Sequence, residues 1–368
     1  MIYCFLLMSL QTALSSYKVW VLAPYLHTDD PNIQYYYDFS EARKEYSKVF
    51  NELSCEWQWQ PVSMHDYRDI VEEIHLSANG KSPLVINLCD GDEINGTPGI
   101  SVIEALKKKR IVFTGSDTHF YDITTSKIPM KEAFDKSGIP TPAWEVLQPD
   151  GSNIKGLLER LGAPVIVKPA ISGGSMGITI HNVVQTEADC REQLNRMQQG
   201  YHGWELAAGG VLAEQFIKGR EFTTLIVGSD PDHLIFYPPV ERVFHKDLPD
   251  TEQFLSYDRL WETYEVEKPV EGENFLYNYF PPGPELLPAL QQLSIDAYKA
   301  VGGTGYGRLD IRMDKDTGRM YVLEVNAQCG LSEDENFTSI GAILRMAGKT
   351  FTQLTCEIME DALKRHKR

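Results

Sequence analysis

The chain has 368 residues, 42% hydrophobic and 24% charged, an ordinary globular balance with enough apolar content for two or three packed units. Its 35 Lys and Arg against 52 Asp and Glu give a formal charge of −17, which repels phosphate backbones and anionic lipid and so excludes nucleic acid and membrane surfaces as partners. No run of about 18 apolar residues is present to span a bilayer, and six scattered cysteines without CxxC or metal-ligand spacing read as free thiols in a reducing, cytoplasmic setting.

Residues 1–14, MIYCFLLMSLQTAL, are apolar and lead to Ala13, Ser15 and Ser16, as in a signal peptide, but no Lys or Arg precedes the run. Residues 1–16 are therefore read as a targeting segment or a disordered extension. YKVWVLAPY (17–25), PLVINLC (83–89) and RIVFTGS (110–116) have the pattern of buried strands, and helical spacing at 40–54 and in SVIEALKKK alternates with them. That alternation predicts a parallel α/β domain over 17–121. Its turn DGDEINGTPG (90–99) sits at a strand's carboxyl end, where open α/β sheets bind ligands.

A helix is expected near 124–137, ended by Gly138 and the proline-rich IPTP. Strand VIVKP (165–169), loop AISGGSMG, strand ITIHNV and a polar helical stretch at 181–205 follow, giving a second unit over 122–206. VLAEQFI and EFTTLIVG read as a hairpin turning at Lys218-Gly219. Residues 245–285 are acidic, aromatic and proline-rich without clear period, so a long loop is expected, with 245–280 as a candidate lid. A helix at 285–301, a hairpin at 308–326 and a C-terminal helix ending in KRHKR complete a third unit, 207–368. There are no internal repeats.

The hairpin RLDIRMDKDTGRMYVLEVN carries acidic side chains where a packed strand rarely has them. Alternation puts Arg308, Asp310 and Arg312 on one face, and Val322, Glu324 and Asn326 on one face of the second strand. The turn Asp316-Thr317-Gly318 pairs Lys315 with Arg319, and counting back sets Asp310 opposite Glu324 and Arg308 opposite Asn326. Two directly opposed carboxylates, with Cβ atoms about 5 Å apart, repel and need a positive partner. Arg308 or Arg312 would serve as a plain ion pair. Alternatively, the oxygen-only set Asp310, Glu324 and Asn326 would hold a hard cation such as Mg²⁺, which is usually shared with substrate phosphates.

A phosphate site is therefore expected elsewhere. The loop SGGSMG (172–177) has the flexibility and free N–H groups to fold over a phosphate, although it is not a Walker loop. Lys168 ends the preceding strand, either snorkelling or reaching phosphate oxygens, and Lys127 is a second candidate cation. Glu214, on a strand edge, and Glu221, past a turn, are either solvated or hydrogen-bonded to an adenine amino group and ribose hydroxyls.

In this order, Lys127, VIVKPAISGGSMG, AEQFIKGREF and GYGRLDIRMDKDTGRMYVLEVN resemble the ATP-grasp superfamily, nearest the D-alanine–D-alanine ligases, over roughly 110–368. TGS (114–116) and SGIPTP (137–142) fit the same family. The resemblance implies a three-part architecture, α+β in the ATP-grasp part, and an ADP-forming ligase joining an amino-acid-like carboxylate to an amine through an acyl-phosphate. It implies Lys127, Lys168 and Ser175 at ATP phosphates, Glu214 at adenine, the Ile217 backbone beside it, and Glu221 at the ribose. It also implies two Mg²⁺ ions, replaceable by Mn²⁺, on Asp310, Glu324 and Asn326. Arg308, with backbone N–H groups near Gly330, would stabilise the acyl-phosphate and the tetrahedral intermediate.

The departures lie on the first-substrate side. The family's Ser- and Glu-containing loop after the first strand is replaced by APYLHTDDPNIQYYYD, its first cover-loop serine by Gly174, and its lysine-tyrosine pair by Leu260 and Trp261. With Tyr35, Tyr36 and Tyr37, these changes point to a larger or more apolar first substrate. Two rival readings are a phosphotransferase of the same fold and a nucleotide-binding regulatory protein without turnover. A homodimer is left open.

Overall fold

Three sheets divide the chain among them in the computed structural model, which describes residues 10, 12–30, 33–34, 37–77, 80–261, 267, 276–334 and 338–367. Strands β1 (Tyr17–Pro24), β2 (Trp57–Val62), β3 (Ser82–Asn87) and β4 (Val112–Phe113) pair in parallel in the order β2-β1-β3-β4. β1 is an unbroken apolar run because both its faces are covered. Val19 and Val21 pack with Tyr46 and Phe50 of the helix Ser40–Glu52, and Trp20 and Leu22 pack with Val71, Val102 and Leu106 of the helices Tyr67–Leu76 and Ile100–Lys108. The sequence reading omits β2, whose WQWQPV lacks an apolar pattern. Leu10 and Leu14 are buried in the core around β1, so this part of the expected N-terminal extension is not frayed.

The second sheet is antiparallel. Strands β5 (Trp144–Leu147), β6 (Val165–Pro169), β7 (Val183–Val184) and β8 (Val211–Gln215) run in the order β5-β8-β6-β7, backed by the helix Glu187–Gln199. The strand expected at ITIHNV is mostly replaced by a 3₁₀ turn, Ile180–Asn182, held by a capping box between Thr179 and Asn182.

The third sheet contains β9 (Gly219–Val227), β10 (Ile235–Phe236), β11 (Val240–Phe244), β12 (Tyr277–Phe280), β13 (Tyr306–Asp314) and β14 (Met320–Ala327). Its order is β12-β11-β9-β13-β14, with β10 also on β9. β8 and β9 are therefore not a hairpin. β5 and β6 occupy both edges of β8, while β9 pairs along its whole length with β13. Gly219 is the crossing point between sheets. Its φ is +140°, and an added Cβ would lie 2.2 Å from the Met313 carbonyl oxygen. The expected long loop at 245–285 contains the helix Tyr257–Trp261 and β12, and its residues 262–266 and 268–275 lie outside the described set. No described helix is long and apolar enough to cross a membrane.

Candidate active site

The hairpin β13–β14 supplies the acidic pair. Asp310 faces Glu324 and Arg308 faces Asn326, as expected, but at the turn Asp314 N, not Lys315, meets Arg319, and the register slips between Asp310 and Ile311 so that Ile311 pairs with Val322; the slip offsets the one-residue error in the turn. Leu323 is the extra residue of this bulge. The slip turns Val322 into the core beside Val325 and brings Leu323 to the cavity, which corrects the face assignment made from simple alternation.

Charges crowd at this pair. Arg308 Nη2 donates to Asp310 Oδ2 at 3.0 Å and lies 3.8 Å from Glu324 Oε1. Thr223 Oγ1 donates to Asp310 Oδ1 at 2.8 Å, and Asn326 Nδ2 donates to Glu324 Oε1 at 3.0 Å. Burial pushes the Asp310 carboxyl up, with Arg308 opposing and Glu324 adding to the rise. Burial would raise Glu324 as well, but Lys127 and Arg308 outweigh it and hold that carboxyl down at about 2. Arg312 does not serve this pair. Its Nε lies 3.6 Å from Glu221 Oε2.

The donor set suits a hard divalent cation. Two carboxylates and an amide oxygen converge on one face at a desolvated position, where their mutual repulsion is only partly offset by Arg308. Among the described residues no group of three His, Cys, Asp or Glu side chains is placed to hold a metal, and Asn326 stands beside the acidic pair as a further oxygen-bearing side chain.

The candidate phosphate and base residues line the same cavity as the hairpin, a space of about 590 Å³. Lys127 Nζ is 3.8 Å from Glu324 Oε2 and donates to the Ser172 carbonyl at 3.4 Å. Lys168 is buried and donates to Glu214 Oε1 at 2.8 Å, so it neither snorkels nor stands at an exposed edge. Glu214 is only 2% exposed because β8 is an interior strand, and Lys131 pairs with its other oxygen. Glu221 is not solvated either. It pairs with Arg242, whose Nη2 donates to Tyr279 Oη at 3.1 Å. Ile217 is buried in the cavity wall between them. The glycine loop has left-handed backbone at Gly174 (φ +52°) and Ser175 (φ +58°), and Ser175 Oγ donates to the Leu255 carbonyl at 2.9 Å.

The first domain closes the cavity from the side of the 90–99 turn, as its position after β3 predicts. Tyr121 Oη donates to the Gly91 carbonyl at 2.7 Å and Gln328 Nε2 to the Cys89 carbonyl at 2.8 Å. Asp90 opens onto this end, exposed to the cavity yet hemmed in by its walls, and that enclosure pushes its carboxyl up to about 6, with Asp92 adding to the rise. Tyr37, Leu260, Trp261 and Gly330 also line the cavity, while Tyr35 and Tyr36 lie outside the described residues.

Sequence reasoning missed Lys131, Arg242, Tyr279 and Asp90. Lys131 carried a usable signal, the i,i+4 spacing from Lys127 that places both on one helix face, and Asp90 another, as the first residue of the turn at the strand's carboxyl end. Arg242 and Tyr279 reach Glu221 only through sheet pairing of β11 with β9 and β12, which local pattern does not reveal.

Residues 133–360 match the family model described as D-ala D-ala ligase C-terminus. The chain is 33% identical over 256 residues to a D-alanine–D-alanine ligase of Gloeobacter violaceus, covering 68% of this chain and 73% of the relative. It is 27% identical over 310 residues to a D-alanine–D-alanine ligase of Pseudoalteromonas atlantica, covering 82% and 84%. In fold it is similar to the Bacillus anthracis D-alanine–D-alanine ligase complexed with ATP, with TM-score 0.66, 19% identity and coverage of 96% and 98%. It is equally similar to the VanG D-Ala:D-Ser ligase of Enterococcus faecalis, with TM-score 0.66, 15% identity and coverage of 94% and 99%.

Proposed function

The chain belongs to the D-alanine–D-alanine ligase C-terminus family, ATP-dependent carboxylate–amine ligases of ATP-grasp fold, and on that premise we propose how its own residues divide the work. The observation that carries the proposal is the oxygen-only trio Asp310, Glu324 and Asn326 lining one cavity with Lys127 and Lys168.

Lys127, Lys168 and the N–H groups of the glycine loop bind ATP phosphates, with Ser175 in the cover. Glu214 accepts from the adenine amino group beside the Ile217 backbone, and Glu221 accepts from ribose hydroxyls. Asp310, Glu324 and Asn326 would hold two Mg²⁺ ions, or Mn²⁺ in their place, which neutralise charge on the phosphate oxygens. A substrate carboxylate oxygen attacks the γ-phosphorus, the bond to the β-phosphate bridging oxygen breaks, and ADP leaves. An amine nitrogen then attacks the acyl carbon, phosphate departs, and the nitrogen releases its proton. Arg308 and backbone N–H groups near Gly330 stabilise the oxyanion formed in that second step. The helix Tyr257–Trp261 and the glycine loop exclude water, which would hydrolyse the acyl-phosphate.

The second unit extends through β8 in this proposal, and a homodimer and a reducing, cytoplasmic setting belong to it as well. The five described cysteines are all free, which supports that setting. The test is ADP and phosphate release against pools of amino acids and dipeptides. Release of both products with an amine and a carboxylate present supports the ligase. ADP without free phosphate would mean a phosphotransferase, and no ADP with any pool would mean a nucleotide-binding regulatory protein.

A further inference from the structure

Glu214 has one lysine too many. Its Oε1 takes a hydrogen bond from Lys168 at 2.8 Å and its Oε2 pairs with Lys131, although one cation suffices to keep a buried carboxylate ionised. The two lysines are not equivalent. Lys168 lines the cavity beside the glycine loop. Lys131 is 0% exposed and is held from behind: its Nζ donates to Thr141 Oγ1 at 2.8 Å, and Thr141 Oγ1 donates to the Val322 carbonyl at 2.9 Å. Val322 N in turn donates to the Pro140 carbonyl at 2.8 Å, which pins this connection to β14, two residues from Glu324. Lys168 has open space to move into and Lys131 has none.

From this asymmetry we infer that Lys131 is a positioning residue, the permanent counter-ion of Glu214, which keeps that carboxylate a pure acceptor for a 6-amino purine while Lys168 leaves it for the nucleotide phosphates. The inference rests on the placement of Glu214 at the adenine base made above. An ionised carboxylate accepts hydrogen bonds and cannot donate them, so it suits the 6-amino group of ATP and rejects the 6-oxo group of ITP. Without Lys131, and with Lys168 drawn to the phosphates, the buried Glu214 has no cation left, so it binds a proton and becomes able to donate to a 6-oxo group. That shrinks the preference for ATP over ITP. Burial lowers Lys131 to about 8, with Glu214 opposing, and the ion pair between them favours the charged form.

The experiment is calorimetric titration of the full chain at neutral pH with ATP and with ITP. Wild type is expected to favour ATP by about ten- to a hundredfold, the factor expected for one hydrogen bond to a charged group. Glu214→Gln should bring that ratio to within about threefold of unity. Lys131→Met should do the same. If Lys131 were merely structural, Lys131→Met would weaken both nucleotides equally and leave the ratio as in wild type, and that result overturns the inference while the Glu214 variant still supports the base contact. An unchanged ratio in Glu214→Gln would instead overturn the base contact, and this inference with it. Should Lys131→Met fail to fold, with Glu214 buried and short of a cation, Thr141→Val removes the hydroxyl that fixes Lys131 and leaves both charges in place. Its ratio should fall severalfold, and a wild-type ratio there also overturns the inference.

Discussion

Trp261 donates its indole N–H to the Gly174 carbonyl at 2.9 Å, tying the helix Tyr257–Trp261 to the glycine loop over the cavity. The Ser175 hydroxyl makes a second clasp on the Leu255 carbonyl. Two contacts thus join the same segments, 255–261 and the glycine loop, beside the cavity.

Trp261→Phe keeps a large ring and deletes the donor. One neutral hydrogen bond contributes about 1 kcal/mol, so the melting temperature should move little. The KM for ATP should rise severalfold, and limited proteolysis within 245–261 should quicken in the apo protein and be suppressed by nucleotide with Mg²⁺. Identical cleavage with and without ligands would mean that this segment is no lid.

Lys168→Ala should weaken ATP binding by tenfold or more and leave the fold intact. Lys168 is buried, so its removal would ordinarily strand a charge, but Lys131 still neutralises Glu214. Calorimetric titration together with thermal denaturation checks both halves. Unchanged ATP affinity removes Lys168 from the phosphate site, and unfolding means that Lys131 alone cannot support Glu214.

Asp310→Asn and Glu324→Gln should both abolish turnover yet differ in stability. Glu324 is held well below its unfolded value by Lys127 and Arg308, so it contributes stability that is present above about pH 4.5 and lost as pH falls toward about 2. Glu324→Gln should therefore lower stability by about 2 kcal/mol at neutral pH, between the values for exposed and buried pairs. Asp310 is shifted the other way, and Asp310→Asn keeps an acceptor for Thr223, so its melting temperature should hold or rise without divalent cation. Full turnover in either variant would mean that the pair binds no metal.

Alternation made the acidic pair of this hairpin legible, but not its register: Asp314 rather than Lys315 bonds Arg319 at the turn, and this one-residue misreading is offset by the bulge at Leu323, which returns Glu324 to Asp310. The bulge itself was not legible, since Val322 turns inward only to pack beside Val325 under neighbouring helices. The false hairpin at Lys218-Gly219 failed for a related reason. Two adjacent β-patterned runs with a glycine between them look alike whether they pair with each other or with distant strands, and β13 is nearly ninety residues beyond β9. Glu214 does line the cavity but was read wrongly as an edge residue, because the strands flanking β8 come from elsewhere in the chain.

Asp90 offers a test by pH. Its folded carboxyl titrates near about 6 against about 3.9 unfolded, so the folded state binds the extra proton between those values. Stability therefore falls as pH rises through that window, and the penalty is complete above it. Asp90→Asn removes the penalty, raising the melting temperature at pH 7.5 and leaving it nearly unchanged at pH 4. The side chain opens to the cavity, so solvent limits the size of the gain. A variant less stable at pH 7.5 would mean that the carboxylate is engaged by a cation in the free protein.

D-alanine should be a poor substrate or none. The segment after β1 is committed elsewhere: Ile33 is buried in the core of the second sheet and Asp30 Oδ2 lies 3.0 Å from His202 Nδ1, so this stretch braces two units against each other. Tyr37, whose hydroxyl accepts from Thr97 at 2.8 Å, presents its ring to the cavity together with Trp261. The polar groups expected after the first strand, at Gly174 and at Leu260–Trp261 are thus replaced by aromatic or apolar surface or by no side chain at all. A site built to hydrogen-bond one substrate discriminates against another by up to about 10⁴–10⁵-fold, so changes at these positions should redirect specificity toward a larger or more apolar first substrate. The measurement is steady-state phosphate release with D-alanine beside a panel of L-amino acids and dipeptides, each over a range of concentrations. A bulkier panel member should exceed D-alanine in kcat/KM by at least a hundredfold. D-alanine turned over faster than every other member would show that the aromatic lining leaves the first-substrate site unaltered in effect, and that the specificity in the names of its relatives extends to this chain.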